Sequence, residues 1–309
     1  MGLATREAFG QKIAELIKEN DKIVVLDADL AKSTKTTDAR KAVPERCFDI
    51  GIAEADMIGT AAGLAASGYI PFACTFAMFA TGRAWEQIRN SVAYPHLNVK
   101  VIGSHAGIAV GEDGVSHQAI EDIAIMRAIP GMTVYSPCDS AETKACVAQM
   151  VGEKKPSYLR LGRSSVGDVF AADEAIDVTK IHTLRKGKKV AVFATGLMVQ
   201  AVLEAADKLK AEGIEVTVAD VCCIKPIDEA AVLDILNTHE QILTAEEHNV
   251  IGGLGSAIAE IAAEKCPKPI HRIGLYDSFA ESGDFKLLLS KYKLDAAAME
   301  TEIRKAWGK

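Results

Sequence analysis

Residues 49–57 read Asp-Ile-Gly-Ile-Ala-Glu-Ala-Asp-Met, in which the end of a strand passes through a glycine into the first turn of a helix. From Met57 to Ala66 the helix contains only apolar and small residues, which predicts that it is buried. Glu54 lies in the first turn, where an exposed carboxylate would interact favourably with the helix dipole. A carboxylate at the carboxyl edge of a strand also lies where open α/β sheets bind ligands. This pattern alone leaves a helix cap and a functional role equally open.

Strand and helix patterns alternate on both sides of this stretch. The first half contains candidate strands at 22–27, 47–51, 70–75, 99–104, 133–136 and 157–161, and candidate helices at 6–19, 53–66, 83–92, 119–129 and 140–152. The second half contains candidate strands at 190–194, 215–220, 241–245 and 270–273, and candidate helices at 198–212, 228–238 and 255–265. This alternation predicts an α/β fold with two mostly parallel-sheet, three-layer domains.

A polar and charged stretch with little periodicity separates the two halves. We therefore predict a first domain at residues 1–165, a linker at 166–187 and a second domain at 188–309. The length of 309 residues agrees with two domains of about 150 residues each.

Composition argues against several classes of function. The chain has 35 basic and 42 acidic side chains and a net charge of −7, so we expect no binding to nucleic acid or to an anionic membrane surface. Seven cysteines without a C-x-x-C pair argue against disulfides and structural zinc, and they indicate a cytoplasmic location. Residues 57–82 carry no formal charge, but a break at 67–71 indicates a helix, a turn and a strand rather than a transmembrane helix.

Three further stretches attract attention. In residues 74–79, Phe76 and Phe79 either pack in a core or form a ring-stacking platform. Residues 103–118 contain two histidines, two acids and four glycines, which favours an active-site loop over a solvated loop, and no paired spacing supports a metal site. Residues 251–257 predict a tight turn with close helix packing, and Glu246 and Glu247 are expected to be solvated or at an interface.

Taken together, these motifs resemble the C-terminal half of transketolase from end to end. The matching pieces, in the order and spacing of the family, are Ala-Thr-Arg-Glu-Ala at 4–8, Asp-Ala-Asp-Leu at 27–30 with Ser33, Gly-Ile-Ala-Glu at 51–54, Thr-Phe at 75–76 with Phe79, Gly-Ser-His at 103–105, Gly-Glu-Asp-Gly-Val-Ser-His-Gln at 111–118 and Arg-Leu-Gly-Arg at 160–163. The resemblance implies a pyrimidine-binding domain of the thiamine-diphosphate fold, followed by a transketolase C-terminal domain.

The G-D-G…N motif, with which this family holds the cofactor diphosphate and its metal, is absent from the sequence; residues 283–285 read only Gly-Asp-Phe. The resemblance therefore implies the C-terminal subunit of a split transketolase that shares thiamine diphosphate with an N-terminal subunit. The partner would hold Mg²⁺ or a similar divalent ion, so we expect no metal ligand in this chain. Two copies of this chain would form the homodimer core of a heterotetramer, with the helix at 57–66 in the interface.

The resemblance also implies which residues bind the cofactor. Glu54 would face N1′ of the aminopyrimidine and donate a proton there, which favours the imino tautomer and makes Glu54 catalytic. Phe76 and Phe79 would stack on the pyrimidine ring, and Asp29 and Leu30 would line the cofactor site. Residues 80–82 read Ala-Thr-Gly, whereas some members of the family place a further aromatic residue there.

Substrate contacts are implied in the same way. Asp113 would accept a hydrogen bond from a hydroxyl of the donor sugar, and His117 would contact its reacting end as a second catalytic residue. The sugar phosphate would bind to four side chains that suit a dianion, namely Arg6, Ser33, His105 and Arg163.

The implied reaction is the transfer of a two-carbon ketol unit from a ketose phosphate to an aldose phosphate. Three alternatives stay open: a deoxyxylulose-phosphate synthase-like protein, a 2-oxoacid dehydrogenase β-subunit-like protein, and a non-catalytic partner subunit. Deoxyxylulose-phosphate synthases usually read G-A-D-G where residues 111–114 read Gly-Glu-Asp-Gly, and they lack the Ser104-His105 pair, which favours transketolase.

Overall fold

The computed structural model describes residues 2–308, which form two α/β units in chain order. The strands of this part of the chain are β1 (Ile23–Asp27), β2 (Cys47–Asp49), β3 (Ile70–Phe76), β4 (Lys100–Ser104), β5 (Thr133–Tyr135), β6 (Ser157–Arg160), β7 (His182–Arg185), β8 (Val190–Ala194), β9 (Thr217–Asp220), β10 (Cys223–Lys225), β11 (Gln241–Asn249) and β12 (Ile270–Leu275). Its α-helices are α1 (Thr5–Glu19), α2 (Ala31–Thr34), α3 (Thr37–Ala42), α4 (Glu54–Ala66), α5 (Trp85–Gln87), α6 (Asp122–Arg127), α7 (Ser140–Gly152), α8 (Met198–Lys210), α9 (Glu229–Thr238), α10 (Leu254–Lys265), α11 (Phe285–Lys291) and α12 (Ala296–Trp307).

The first sheet has the strand order β10-β5-β6-β4-β3-β1-β2, and all of its pairs are parallel except β10 with β5. Alternate residues of β1 point into two different cores, which identifies the two faces of the sheet. Val24 and Leu26 pack with α4 and α6, whereas Ile23 and Val25 pack with α1 and α7. The predicted three-layer arrangement is therefore confirmed for this unit.

The second sheet has the strand order β12-β11-β8-β9-β7, with only β7 antiparallel to its neighbour. Val190 and Val192 of β8 face a core that includes residues of α8 and α12, and Ala191 and Phe193 face a core that includes residues of α9 and α10. The predicted α/β class with two mostly parallel sheets is thus confirmed throughout.

Two strands lie where the sequence pattern did not predict them. β7 lies inside the segment predicted as a linker, residues 166–187, and pairs with β9 of the second sheet. β10 follows β9 closely but joins the edge of the first sheet beside β5. Each has three or four residues and pairs at a sheet edge, so neither carries the long apolar run by which a central strand is recognised.

The predicted helix at 83–92 is irregular. Wide π-type turns occupy Phe79–Arg83 and Ile88–Ala93, and only Trp85–Gln87 between them is α-helical. Such turns are often found at functional sites, because they re-aim the side chains that they carry.

Helix α4 is only half covered in a single chain. Met57, Ile58 and Ala61 are buried, whereas Gly59 and Gly63 are exposed, with no other atom within 4 Å of a Cβ placed on either glycine. Within one chain the helix is therefore buried on one side only, and its burial in an interface between two copies stays a prediction. Its open face consists of small residues that let another backbone approach closely.

Within residues 2–308, every helix is too short or too polar to cross a lipid bilayer. The apolar stretch at 57–82 divides instead into α4, β3 and the turn that joins them, as the sequence pattern indicated.

Candidate active site

The predicted site residues converge on the carboxyl edge of the first sheet. Strands β1, β2, β3, β4 and β6 run parallel, so their carboxyl ends meet at one edge. Asp29 lies two residues after the end of β1, Glu54 begins α4 after β2, and Phe76 ends β3. His105 follows β4, and Arg163 follows β6.

Glu54 is buried at the mouth of α4, with 4% of its surface exposed. The turn before it depends on Gly51, whose φ of +79° is a conformation that favours glycine. Asp49 fixes this turn, because its Oδ1 accepts hydrogen bonds from the backbone N–H of Gly51 at 3.0 Å and of Asp29 at 2.9 Å. Of the two roles left open by the sequence, an exposed helix cap is thereby excluded.

Arg83 is the ion-pair partner of Glu54. Its Nη1 lies 3.2 Å from Oε1 and 3.4 Å from Oε2 of the carboxylate. Its guanidinium carbon also lies 4.1 Å from the centroid of the Phe79 ring, which adds a cation–π contact. The sequence pattern did not single out Arg83, because it follows the aromatic pair in a segment that was expected to be an ordinary helix.

Four rings form an aromatic cluster beside this carboxylate. Phe76 and Phe79 stack with centroids 5.9 Å apart and an interplanar angle of 19°. His105 also stacks on Phe76, and the centroids of these two rings are 4.0 Å apart. His117 meets Phe79 edge-on at 5.1 Å and Phe76 at 6.0 Å. Phe76 is buried between Phe79 and His105, as core packing requires, whereas Phe79 is only half-buried.

Asp29 and Leu30 are held in place by a buried acid that the sequence pattern did not identify. Asp27 Oδ1 accepts from the Leu30 N–H, and Asp27 Oδ2 accepts from the hydroxyls of Thr34 at 2.7 Å and Thr36 at 2.8 Å. Burial raises the pKa of Asp27, although these hydrogen bonds oppose the shift. Asp29 adopts φ +60°, a strained conformation for a residue other than glycine, and this network stabilises it.

The four residues proposed to bind phosphate lie close together, although the outermost two are 157 residues apart. Arg6 donates through Nη1 to the Ser33 carbonyl at 2.8 Å and through Nε to the Arg163 carbonyl at 3.2 Å. The same Nη1 lies 3.5 Å from His105 Nε2. An acidic chain therefore contains a local basic cluster at the edge of the aromatic platform.

His105 is the most perturbed group of this cluster. Burial, and to a lesser extent the nearby charges of Arg6 and Arg163, lower the pKa of its imidazole to about 3. Its Nδ1 lies 2.9 Å from Ser104 Oγ, and its Nε2 faces Arg6, an arrangement that suits a proton on Nδ1. The ring is therefore a neutral group in the site at physiological pH.

The loop after β4 carries the remaining candidates. Arg163 Nη1 donates to the Val110 carbonyl and lies 3.3 Å from Glu112 and 3.7 Å from Asp113. Asp113 is exposed, and His117 is half-buried against the aromatic pair. Asp113 thus lies beside the basic cluster, and His117 lies beside the rings.

Glu246 and Glu247 were expected in solvent or at an interface; both are buried, so the first alternative is wrong, while Glu247 lies against the first unit. Glu246 is fully buried and accepts hydrogen bonds from the backbone N–H groups of Leu254 at 2.7 Å and Gly255 at 2.9 Å, so it caps the start of α10. Glu247 is 4% exposed and contacts the loop after β4. Adjacent acids of a strand normally alternate between core and solvent, and here both sides of β11 are covered.

Comparisons with known proteins identify the family of this chain. The family model "Transketolase, pyrimidine binding domain" matches residues 1–168, and "Transketolase, C-terminal domain" matches residues 179–299. A 6-deoxy-6-sulfo-D-fructose transketolase subunit of Clostridium sp. (strain MSTE9) is 42% identical over 97% of this chain and 95% of its own length. An apulose-4-phosphate transketolase subunit of Phocaeicola vulgatus is 35% identical over 95% of this chain and 94% of its own length.

A solved structure of a split-gene transketolase, described as an inactive β4 tetramer, is also similar. It is 50% identical in sequence, covers 99% of both chains and superposes with a TM-score of 0.92. Together with the family models, which cover most of the chain, these relatives show that the chain belongs to the transketolase family of thiamine-diphosphate enzymes, as a split-transketolase-like subunit with a pyrimidine-binding domain and a transketolase C-terminal domain.

Proposed function

We propose that this chain is the C-terminal subunit of a thiamine-diphosphate-dependent transketolase, which works with a separate N-terminal subunit. The enzyme moves a two-carbon ketol unit from a ketose phosphate to an aldose phosphate. The observation that carries the proposal is the buried carboxylate of Glu54, which lies beside stacked Phe76 and Phe79, with the Arg6–Arg163 cluster at the rim.

The residues fit the aminopyrimidine half of the cofactor. A flat heteroaromatic ring needs an apolar face to stack on and a polar partner in its plane. Phe79 offers the apolar face. The guanidinium of Arg83 lies over this face and also pairs with the carboxylate of Glu54. A planar group that carries nitrogen atoms can therefore contact both residues at once. When bound, thiamine diphosphate supplies the nucleophilic carbon that accepts the ketol unit.

The chain's own residues orient the ring and hold a proton. The Glu54 carboxyl would share a proton with N1′ of the pyrimidine, and its burial would keep water away from that proton. Phe76 and Phe79 would set the plane of the ring, while Asp27 and Asp49 hold the Asp29–Leu30 turn that would lie next to it. These residues would pre-organise the site before substrate binds.

On the substrate side, the C2–C3 bond of the donor ketose breaks, and a new bond forms between the ketol carbonyl carbon and the aldehyde carbon of the acceptor. Arg6 and Arg163, with Ser33 and His105 beside them, hold the phosphate at the far end of either sugar. Asp113 accepts a hydrogen bond from a donor hydroxyl, and His117 contacts the reacting end. Anchoring the sugar at both ends brings its reacting carbon to the cofactor.

The partner subunit supplies the diphosphate site and its Mg²⁺ or similar divalent ion. Two copies of this chain meet through the open face of α4, where Gly59 and Gly63 allow close approach. The similar split-gene transketolase, described as an inactive tetramer of β chains, supports self-association and the need for a partner.

The test is reconstitution with the product of a neighbouring gene that encodes the G-D-G…N half. Xylulose 5-phosphate and ribose 5-phosphate, with thiamine diphosphate and Mg²⁺, should give a seven-carbon product and glyceraldehyde 3-phosphate only when both chains are present. Glu54→Gln should lower the rate by orders of magnitude while the assembly persists. Glu19→Gln, at an exposed position at the far end of α1, is the matched control and should act as wild type.

Absence of the seven-carbon product from the reconstituted pair would refute the proposal. Wild-type activity of Glu54→Gln would instead favour a non-catalytic partner subunit, and consumption of pyruvate would favour a deoxyxylulose-phosphate synthase-like reaction.

A further inference from the structure

Glu247 reaches from the second α/β unit into the loop that carries the substrate candidates. Its Oε1 accepts a hydrogen bond from the backbone N–H of Ala109 at 2.6 Å, across 138 residues of sequence. We call residues 107–113 the substrate loop, because they connect His105 to Asp113. The side chain of Glu247 is 4% exposed, so the hydrogen bond lies in a dry environment, where losing it is costly.

Gly107 makes this approach possible. A Cβ at this position would lie 2.3 Å from the carboxyl carbon of Glu247 and 2.4 Å from each of its oxygens, far closer than atoms can pack. Gly107 also has φ +78°, which favours glycine on its own account. The glycine therefore serves two purposes, since it turns the loop and leaves room for a carboxylate from the other domain.

The backbone of Glu247 is held by a hydrogen bond from a buried arginine of the first unit. Arg160 donates through Nη2 to the Glu247 carbonyl at 2.9 Å and through Nε to Asp122 Oδ2 at 2.8 Å, and the Tyr158 hydroxyl donates to the same Asp122 oxygen at 2.7 Å. All of these groups are buried. The carboxylate of Glu247 is consequently presented to the loop by a rigid network that belongs to both domains.

The second unit also forms hydrogen bonds with Glu112, near the end of the substrate loop, and with Gln118 beyond it. Gln118 donates to the Glu281 carbonyl at 3.0 Å, and the Ser282 hydroxyl donates to the Glu112 carbonyl. Asp113, the proposed acceptor of the sugar hydroxyl, directly follows Glu112. The segment that leads to Asp113 is therefore held by the second unit at both Ala109 and Glu112.

We propose that Glu247 is a positioning residue of the substrate site, which holds the substrate loop so that Asp113 and His117 face the sugar. The C-terminal domain thereby becomes part of the substrate-binding apparatus, although it touches neither the cofactor ring nor the reacting atoms. The identity of the substrate rests on the proposed function, but the contact between Glu247 and the loop does not.

The experiment compares Glu247→Gln and Glu247→Ala, with Glu264→Ala as a control at an exposed position of the same domain. Loss of a buried hydrogen bond to a carboxylate should accelerate amide hydrogen exchange at Ala109 by about tenfold or more in Glu247→Ala. In the reconstituted enzyme, the KM for xylulose 5-phosphate should rise by roughly tenfold, whereas the Kd of thiamine diphosphate should change by less than about twofold. Glu247→Gln keeps an acceptor oxygen and should restore most of both properties.

Unchanged exchange at Ala109 would overturn the proposal, as would an equal loss of cofactor and substrate affinity, which would indicate a general structural defect. If Glu247→Ala does not fold, Glu247→Asp carries the test, because it keeps the charge and withdraws the carboxylate from the loop. A wild-type pair without transketolase activity would refute the proposed function, while the exchange at Ala109 would still confirm or overturn the contact.

Discussion

Arg83 Nη1 lies 3.2 Å and 3.4 Å from the two carboxylate oxygens of Glu54, while the Arg83 guanidinium carbon lies 4.1 Å from the centroid of Phe79. One side chain thus makes both contacts that we propose for the aminopyrimidine, a hydrogen bond to Glu54 and stacking on Phe79. Arg83 is 53% exposed, so its guanidinium can leave towards solvent without disturbing the core. The guanidinium of Arg83 therefore occupies the place that we propose for the ring.

Replacement of Arg83 by methionine should tighten cofactor binding, because the ring would no longer compete with the guanidinium. A cation–π contact and a half-exposed ion pair are together worth about 1.4 kcal/mol, so the Kd of thiamine diphosphate for the assembled enzyme should fall about tenfold. Titration calorimetry measures this Kd. Arg89→Met, in the same irregular segment, is the control. If Arg83→Met bound thiamine diphosphate more weakly, Arg83 would be a cofactor-binding residue and would not compete with the ring.

Replacement of Arg6 by methionine should impair only phosphorylated substrates. Arg6 lies in the basic cluster, and a hydrogen bond to a charged group contributes about 1.5–3 kcal/mol, so the KM for ribose 5-phosphate should rise by roughly 10–100-fold. The KM for glycolaldehyde, an acceptor without phosphate, should stay near that of wild type. Steady-state kinetics with both acceptors decide the matter, and an equal loss with each would contradict a phosphate-binding role.

His105 should stay neutral between pH 5 and 8, since burial and the neighbouring arginines lower its pKa to about 3. The folded pKa lies below the ordinary value of 6.5, so the folded chain binds the proton more weakly than the unfolded chain does. The free energy of unfolding should therefore fall as the pH drops from 6.5 towards 3. NMR of the imidazole carbon and nitrogen signals measures the titration, and a step near pH 6.5 would refute the assignment.

Asp139 should be a strong determinant of stability. Its Oδ1 accepts from the Glu142 N–H at 2.8 Å and caps α7, and its Oδ2 accepts from Val169 at 2.7 Å and Phe170 at 2.8 Å. Asp139→Ala leaves three N–H groups without this acceptor and should lower the free energy of unfolding by about 3 kcal/mol. Urea unfolding measures the loss, with exposed Asp173→Ala as the control. A loss no larger than that of the control would contradict this role.

The strand–glycine–helix stretch at Glu54 was predictable because its signals are local. A β-branched or apolar run, a glycine with positive φ at Gly51 and the start of α4 follow one another within ten residues. Most strands and helices of both domains were recognised in the same way, and α7 was predicted with its observed bounds, whereas α3, α11 and α12 were not predicted. Edge strand β10 and the π-type turns around Arg83 were not predicted. A three-residue edge strand and a widened helical turn do not change the spacing of apolar residues enough to be recognised in the sequence.

By itself, the sequence determined the alternation of most strands and helices, and it placed Asp29, Glu54, Phe76, His105 and Arg163 at or after the ends of predicted strands. The tertiary structure alone decided which of these ends meet: it brought Arg6 to Arg163, buried Glu246 and Glu247, and set Arg83 over Phe79 against Glu54. The physical reason is that these contacts join segments up to 157 residues apart. Which segments come into contact depends on how the helices and sheets pack together. A short stretch of sequence does not contain that information.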